Sequence, residues 1–468
     1  LHSCCMNAAA FFIAVYPMNR ERNLTAIAGY TLAGVALAYT TASLALCLSP
    51  TLVEHAFGML SMPNRMIPPF ADLRAITALA GCSANIDHVM RGLSAGCDPY
   101  GRSGGLGYPP LIFALARAFG TSGSWTNPIA ITCGMVFISI IIRDVRNSGL
   151  IKSHQAWLLA AILVGFPTQL GLERMNIDVA IFIGLRLLVW IREKEKNNGI
   201  ESWLTSATGF CAAFVLGGAK VYPTLGVLLW IGFEWSQRRR RKKIDFWIVL
   251  GAIAGGLTAI PWMLSGDQHA APPISLTSHG LIADRGGGTS SVILSIMTIS
   301  MACLGYAVCR KYIEKNNIDN SNRTNSRYSD LQQEIEWSWI RLSFGTWLIS
   351  YTLTTSFDYR FIFLYPILIG ISAKVAQDYN MNSKTRAILT GTTLVLVLYG
   401  MTPLTYMATE AISSSITSAG GWLHSPLQMT VKYGSAGLSR FLDSIGLPFI
   451  AGTSAGYAQS GPPSSKRQ

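Results

Sequence analysis

A few charged residues stand at the ends of long apolar segments. Asp72 comes soon after the first such segment, and Arg174, Lys220 and Arg360 stand at the ends of later ones. A carboxylate within reach of a hydroxyl can take its proton as a general base. Arg and Lys bind phosphate, Arg through its planar fork and Lys as a point charge. These residue types suit a reaction in which a hydroxyl attacks and a phosphate leaves.

The composition is that of a membrane protein. The chain has 468 residues, of which 50% are hydrophobic and only 13% are charged, whereas soluble domains are about 25% charged. Several apolar segments are about 17 to 25 residues long, the length that crosses roughly 30 Å of hydrocarbon. We therefore predict an all-α polytopic membrane protein with about 11 transmembrane helices, in a range of about 10 to 13. The predicted spans are about 24–48, 126–142, 155–171, 176–191, 202–218, 222–236, 246–264, 290–308, 337–355, 361–376 and 386–402, with a further external loop at about 265–289.

The charge distribution predicts the orientation of these segments. Most of the 37 Lys and Arg residues lie in short loops, including the run Arg238–Lys243, as in cytoplasmic loops. The net charge of +13 is therefore attributed to orientation and not to nucleic-acid binding. With these loops inside, Asp72, Arg174, Lys220 and Arg360 fall together on the non-cytoplasmic face, and we expect a plasma (inner) membrane location.

The predicted organisation is one large membrane domain with flanking segments. Residues 109–119 are too short to cross and contain Arg117, so we predict an interfacial or re-entrant helix. A short tilted span is the alternative, and it would reverse the topology downstream. The predicted segments are a cytoplasmic N-terminal segment 1–23, a multi-span domain 24–402 with a first external loop 49–125 and a cytoplasmic insert 310–335, and a C-terminal amphipathic segment and loose tail 403–468.

Two local features stay open. A twelfth span near 430–452 is an alternative to the amphipathic C-terminal segment. Cys82 and Cys97 share the first external loop and could form a disulfide in an oxidising compartment. The spacing of the nine cysteines indicates no zinc or haem site, and we expect neither a metal nor a cofactor.

The first external loop carries a family resemblance. It reads Phe70-Ala71-Asp72, then Gly96-Cys97-Asp98-Pro99-Tyr100, then Tyr108-Pro109-Pro110. This order resembles the multi-span glycosyltransferases of the GT-C fold, most of all glycosyltransferase family 87 and its alpha-mannosyltransferases. The resemblance implies that Asp72 is the catalytic base, which activates an acceptor hydroxyl to attack the anomeric carbon of a polyprenyl-phosphate sugar. Asp87 and Asp98 are the alternatives for this role.

Two later stretches extend the resemblance over roughly residues 24–376. Glu173-Arg174-Met175-Asn176 is similar to the family's Arg-Gly-Asn-type motif, with Met175 where Gly is expected. Lys220-Val221-Tyr222-Pro223 is similar to the family's Lys-x-x-Pro turn. The resemblance implies a GT-C-like helical bundle with interfacial helices in its first external loop.

The predicted site combines a base, cations for the donor phosphate and polar groups for the substrates. The predicted phosphate-binding residues are Arg174, Lys220, Arg285 and Arg360. The predicted substrate-binding residues are Tyr100, Tyr108, Asn176, Tyr222, Asp358, His269 and His279.

Each candidate also has a structural alternative. Asp72 could cap an interfacial helix, and Arg174 could pair with Glu173. Asp358 and Arg360 could form an ion pair, the histidines could be solvated, and the tyrosines could belong to an interfacial belt. Arg186 lies inside a predicted span, where we expect it to face a protein partner or to snorkel.

The function predicted is that of an inverting glycosyltransferase. It would move a mannose-like hexose from a polyprenyl-phosphate donor to a lipid-linked or cell-envelope glycan, with membrane lipids around it. A transporter or flippase of a lipid-linked glycan is the alternative, but it should place ionisable residues at mid-bilayer and show repeats. An O-antigen ligase or polymerase is a third possibility, and those enzymes carry their large essential loop late in the chain.

Overall fold

A computed structural model describes residues 19–46, 70–80, 109–194, 199–236, 243–264, 277–278, 300, 330–353, 356–377 and 390. This part of the chain is almost entirely helical, which confirms the all-α class. Its helices are α1 Asn19–Leu46, α2 Ala71–Ala80, α3 Pro110–Ala118, α4 Thr126–Asn147, α5 Lys152–Val164, α6 Phe166–Arg174, α7 Ile177–Glu193, α8 Gly199–Ala219, α9 Val221–Ser236, α10 Lys243–Leu264, α11 Asp330–Leu353 and α12 Tyr365–Gln377.

Short 3-10 helices and one small strand pair complete the described elements. The 3-10 helices are Gly123–Trp125 and Asp358–Leu364. Strand β1, Thr277–Ser278, pairs antiparallel with β2, Ser356–Phe357. The predicted external loop after α10 is thereby joined to the segment that leads directly to Arg360. The predicted span 361–376 begins as 3-10 helix, and Pro366, which lacks an N–H, lies in the first turn of α12.

The helix bounds follow the predicted apolar segments closely. Predicted spans 176–191 and 222–236 correspond to α7 and α9. Within the predicted first external loop, the described residues include two short α-helices, α2 and α3. At 1.5 Å per residue α3 is about 14 Å long, well short of a hydrocarbon core. Predicted spans 290–308 and 386–402, and the segment 403–468, lie outside the described residues, apart from isolated positions.

The predicted span 155–171 is a broken helix, which differs from our expectation of one straight segment. Helices α5 and α6 meet at 49° around Gly165, because Pro167 cannot donate to the preceding turn. Side chains replace the lost donors. Thr168 Oγ1 donates to Ile162 O at 2.6 Å, and Gln169 Nε2 donates to Leu163 O at 2.6 Å. The break directs the C-terminal end of α6 toward α2.

Helices α8 and α10 pack closely, backbone against backbone, at two glycines. A Cβ on Gly251 would lie 2.3 Å from Phe210 O, and one on Gly255 would lie 2.1 Å from Phe214 O. The two glycines form a Gly-x-x-x-Gly motif, which lets helix backbones approach closely and is frequent between membrane helices. Helices α8 and α10 therefore form one compact pair.

The outer surface of the bundle is largely apolar. Exposed large side chains follow one another along α10, as Phe246, Trp247, Leu250, Ile253 and Leu257. By length and apolar composition, the described residues contain one helix able to cross a membrane, Gly123–Asn147, and a second if the bent α5–α6 pair counts as one span. A buried helix of a soluble protein can pass the same test.

Candidate active site

Asp72 is held at the start of α2 by contact with α6. Phe70, immediately before α2, is fully buried and has a left-handed backbone with φ of 58°. Its N–H donates to Glu173 O at 2.8 Å. Because this bond ties the beginning of α2 to the end of α6, the Asp72 side chain faces the residues that follow α6.

The turn between α6 and α7 supplies two donors to Asp72. Arg174 Nη2 donates to Asp72 Oδ1 at 3.0 Å, and Asn176 Nδ2 donates to Oδ2 at 2.5 Å. Met175 between them is left-handed, with φ of 44°. Asn176 also caps α7, since its Oδ1 accepts from the N–H of Asp178 at 3.0 Å. The turn therefore positions the carboxylate through both of its oxygens.

A second carboxylate, Asp178 of α7, accepts from groups in two other parts of the chain. Its Oδ1 accepts from Lys220 Nζ at 2.6 Å and from the hydroxyl of Tyr222, and its Oδ2 accepts from Arg360 Nε at 3.4 Å. Lys220 lies at the joint between α8 and α9 and Arg360 lies in the 3-10 helix, so Asp178 connects three separate parts of the chain. We define the Asp72 cluster as Asp72, Arg174, Asn176, Asp178, Lys220, Tyr222 and Arg360.

The Asp72 cluster contains more cations than carboxylates. Three cations contact two carboxylates within it. Asp178 is completely buried, whereas the side chains of Asp72, Lys220 and Arg174 are 11%, 12% and 23% exposed. Burial lowers the pKa of Lys220, Arg360 acts in the same direction, and Asp178 and Asp72 oppose it. The seven residues of the cluster thus carry a net positive charge, and Asp72, Lys220 and Arg174 are partly exposed members of it.

Six of the predicted site residues meet in this cluster. Asp72, Arg174, Asn176, Lys220, Tyr222 and Arg360 come from segments far apart in the chain and contact either Asp72 or Asp178. Asp72 also lies in the first turn of α2, where its carboxylate accepts from Arg174 and Asn176. For Asp358 the structure gives the backbone alone. The remaining candidates, Asp87, Asp98, Tyr100, Tyr108, His269, His279 and Arg285, lie outside the described residues, as do Cys82 and Cys97.

The sequence analysis did not select Asp178. The sequence feature that could have pointed to Asp178 is the pattern Asn176-Ile177-Asp178 at the start of an apolar segment. That pattern also fits an ordinary helix cap with an acidic first turn. The expectation that Arg186 faces a protein partner or snorkels is corrected. Arg186 Nη2 donates to Asp144 Oδ1 at 2.8 Å and is buried inside the fold, because Asp144 on α4 neutralises it there.

Buried charges also occupy the opposite ends of the helices. Arg192 Nε donates to Asp245 Oδ1 at 2.7 Å and Arg192 Nη1 to Glu193 Oε1 at 2.6 Å. Ser338 donates to Glu193 at 2.9 Å and Trp339 to Asp144 at 2.9 Å. We define the Arg192 cluster as Asp144, Arg186, Arg192, Glu193, Glu234, Asp245 and Arg341, in which Arg341 pairs with Glu234.

Within the described part of the chain, no group of three His, Cys, Asp or Glu side chains is arranged to hold a metal ion. Comparison with known protein families, with curated proteins and with solved structures found no match for this chain. The geometry of the Asp72 cluster is therefore the basis for a functional proposal.

Proposed function

We propose that this chain is a membrane-embedded inverting glycosyltransferase. It moves a mannose-like hexose from a polyprenyl-phosphate donor to a lipid-linked or cell-envelope glycan. The observation that carries the proposal is the partly exposed carboxylate of Asp72, which Arg174 and Asn176 hold close enough to Lys220 to act on its charge. Arg360 joins Lys220 through Asp178. This arrangement supports a proton acceptor that works together with phosphate-binding cations.

In the proposed reaction, the Asp72 carboxylate accepts a proton and the cations of the cluster bind the leaving phosphate. The acceptor oxygen forms a bond to the anomeric carbon, and the bond from that carbon to the phosphate oxygen breaks. The hydroxyl proton passes to Asp72, which as a carboxylate has lone pairs beyond the two that accept from Arg174 and Asn176. The polyprenyl phosphate leaves with the bonding electrons, and nearby cations stabilise the charge that develops on it. Attack from the face opposite the phosphate inverts the anomeric carbon.

The distribution of exposed and buried residues supports a membrane location. Charged side chains are buried at both ends of α7, while large apolar side chains are exposed on α1, α4, α8 and α10, the reverse of a water-soluble surface. About 21 Å of helix separates Asp178 from Arg192. Exposed aromatic residues lie near the helix ends, as in interfacial belts, and they include Trp125, Trp190, Trp203 and Trp247.

The test is sugar transfer in membranes that contain the full chain and radiolabelled polyprenyl-phosphate mannose or glucose. Asp72→Asn keeps the shape of the side chain but removes its basicity, so transfer should fall by about 100-fold to 10,000-fold. The matched control is Asp144→Asn, which changes a carboxylate held by Arg186 in the Arg192 cluster and should retain transfer in proportion to the folded protein.

Two results would contradict this proposal. Full transfer by Asp72→Asn would exclude Asp72 as the base. If the wild type transfers sugar from neither donor but moves a lipid-linked glycan across the membrane, the transporter or flippase is the correct function.

A further inference from the structure

We propose that Asp178 is a positioning residue that holds Lys220, Tyr222 and Arg360 together as a preformed cradle for the phosphate of a polyprenyl phosphate. This inference rests on the proposed function for the identity of the ligand. Asp178 itself is fully buried, so it acts on the ligand through the groups that it binds.

The contacts of Asp178 join α7 to two other parts of the chain. Lys220 stands between α8 and α9, Tyr222 begins α9, and Arg360 lies in the 3-10 helix after β2. The Tyr222 ring lies beneath both cations, 5.7 Å from Lys220 Nζ and 5.2 Å from the Arg360 guanidinium carbon. One carboxylate and one aromatic ring therefore set the spacing of the two cations.

The Asp178 charge also favours the protonated form of Lys220. The charged and titratable groups that face Lys220 are Asp178 from α7, Arg360 from the 3-10 helix, Tyr222 from α9 and Asp72 from α2. Burial and Arg360 lower the pKa of Lys220, while the two carboxylates raise it. In Asp178→Asn the nearer carboxylate is lost, so the pKa of Lys220 falls further and its positive charge disappears at a lower pH.

The test measures binding of undecaprenyl phosphate, with undecaprenol as the uncharged control ligand, to the full-length protein in detergent micelles. The proteins are wild type, Asp178→Asn, Asp178→Glu and Asp144→Asn. In Asp178→Asn, loss of a charge-assisted contact should weaken binding about 10-fold to 100-fold near neutral pH. The loss should grow as the pH rises, because Lys220 loses its proton at a lower pH in Asp178→Asn than in the wild type.

The other variants separate positioning from general damage. Asp178→Glu keeps the charge and should recover part of the affinity, and Asp144→Asn should bind undecaprenyl phosphate like the wild type even if both Asn variants unfold at lower temperature. A purely structural role would lower the amount of folded protein without moving the pH dependence. Equal pH profiles in wild type and Asp178→Asn would overturn the proposal.

Binding also separates this proposal from the proposed function. If the wild type binds undecaprenyl phosphate with the predicted dependence on Asp178 but transfers no sugar, the cradle is correct and the transferase is wrong. If sugar transfer depends on Asp72 but phosphate binding is unchanged in Asp178→Asn, the transferase is correct and the cradle is wrong.

Discussion

The Asp72 cluster and the Arg192 cluster both bury charges at the ends of helices, yet they are built differently. In the Arg192 cluster, the side chains of Arg192, Asp245, Glu193 and Glu234 are each 3% exposed or less, and its most exposed member, Arg186, is 10% exposed. In the Asp72 cluster, Arg174 is 23% exposed and Asp72 is 11% exposed. One network is closed against its surroundings and the other is open on one side.

The two clusters also differ in charge and in backbone. The Arg192 cluster contains four carboxylates and three arginines, all within helices α4, α7, α9, α10 and α11. The Asp72 cluster contains three cations and two carboxylates. It is assembled at helix ends, next to the left-handed residues Phe70 and Met175, and such strained backbone concentrates at functional sites. We infer from this comparison that the closed cluster stabilises the bundle, and the open one is the site in which we propose that the reaction takes place.

The largest loss in the free energy of unfolding should come from removing a cation from the Arg192 cluster. Arg192→Met removes the cation that pairs with Asp245 and Glu193, and leaving buried carboxylates without it should lower the free energy of unfolding by about 3 to 5 kcal/mol. Arg174→Met, in the open cluster, should lower it by only about 1 to 2 kcal/mol. Denaturant unfolding of both variants in detergent micelles measures the difference, and equal losses would remove the distinction between the clusters.

Most members of the Asp72 cluster could be predicted, because the predicted orientation of the apolar segments alone brings them to one face. The apolar segments set the helix bounds, and the basic loops placed Asp72, Arg174, Lys220 and Arg360 at the same ends of the helices. The pairings were not predictable, since which cation meets which carboxylate depends on helix packing. Asp178 was missed for that reason, because a carboxylate in the first turn of a helix is ordinarily a solvated cap.

The Arg192 cluster could not be predicted from the sequence either, because charged residues at helix ends are ordinarily solvated. In the sequence, Arg192 stands next to Lys194 and Lys196, as in a basic cytoplasmic loop, and Glu193 and Asp245 resemble solvated charges at helix ends. Only the fold brings Arg192 of α7 to Asp245 of α10 and Glu193 of α7 to Ser338 of α11. The break at Gly165 had a visible signal in Pro167, but the side chains that stabilise the break lie on α6 itself and could not be assigned from the pattern.

A loss of stability of intermediate size should come from the glycine contacts between α8 and α10. These two helices connect the clusters, because Asp245 lies near the start of α10, which begins at Lys243, and α8 ends just before Lys220. Gly255→Ala would put a Cβ 2.1 Å from Phe214 O. A backbone atom cannot rotate away, so the helices must separate, at a cost of about 1 to 3 kcal/mol in unfolding free energy. Because α8 leads into Lys220, affinity for undecaprenyl phosphate should fall as well.

The control for this packing test is Gly232→Ala on α9, where an added Cβ meets nothing within 4 Å. Its unfolding free energy should change by less than about 1 kcal/mol. If Gly255→Ala is as stable as Gly232→Ala, the close approach of α8 and α10 is not required for stability.

The smallest effect concerns the left-handed backbone that distinguishes the open cluster. Met175 has φ of 44° and is buried, so Met175→Ala and Met175→Gly both lose its packing. Only Gly is free of the Cβ clash in this conformation, so Met175→Gly should be more stable than Met175→Ala by about 1 kcal/mol, contrary to the usual cost of Gly. Unfolding of both variants measures this difference. If Ala is the more stable replacement, the turn is not strained, and strain no longer separates the two clusters.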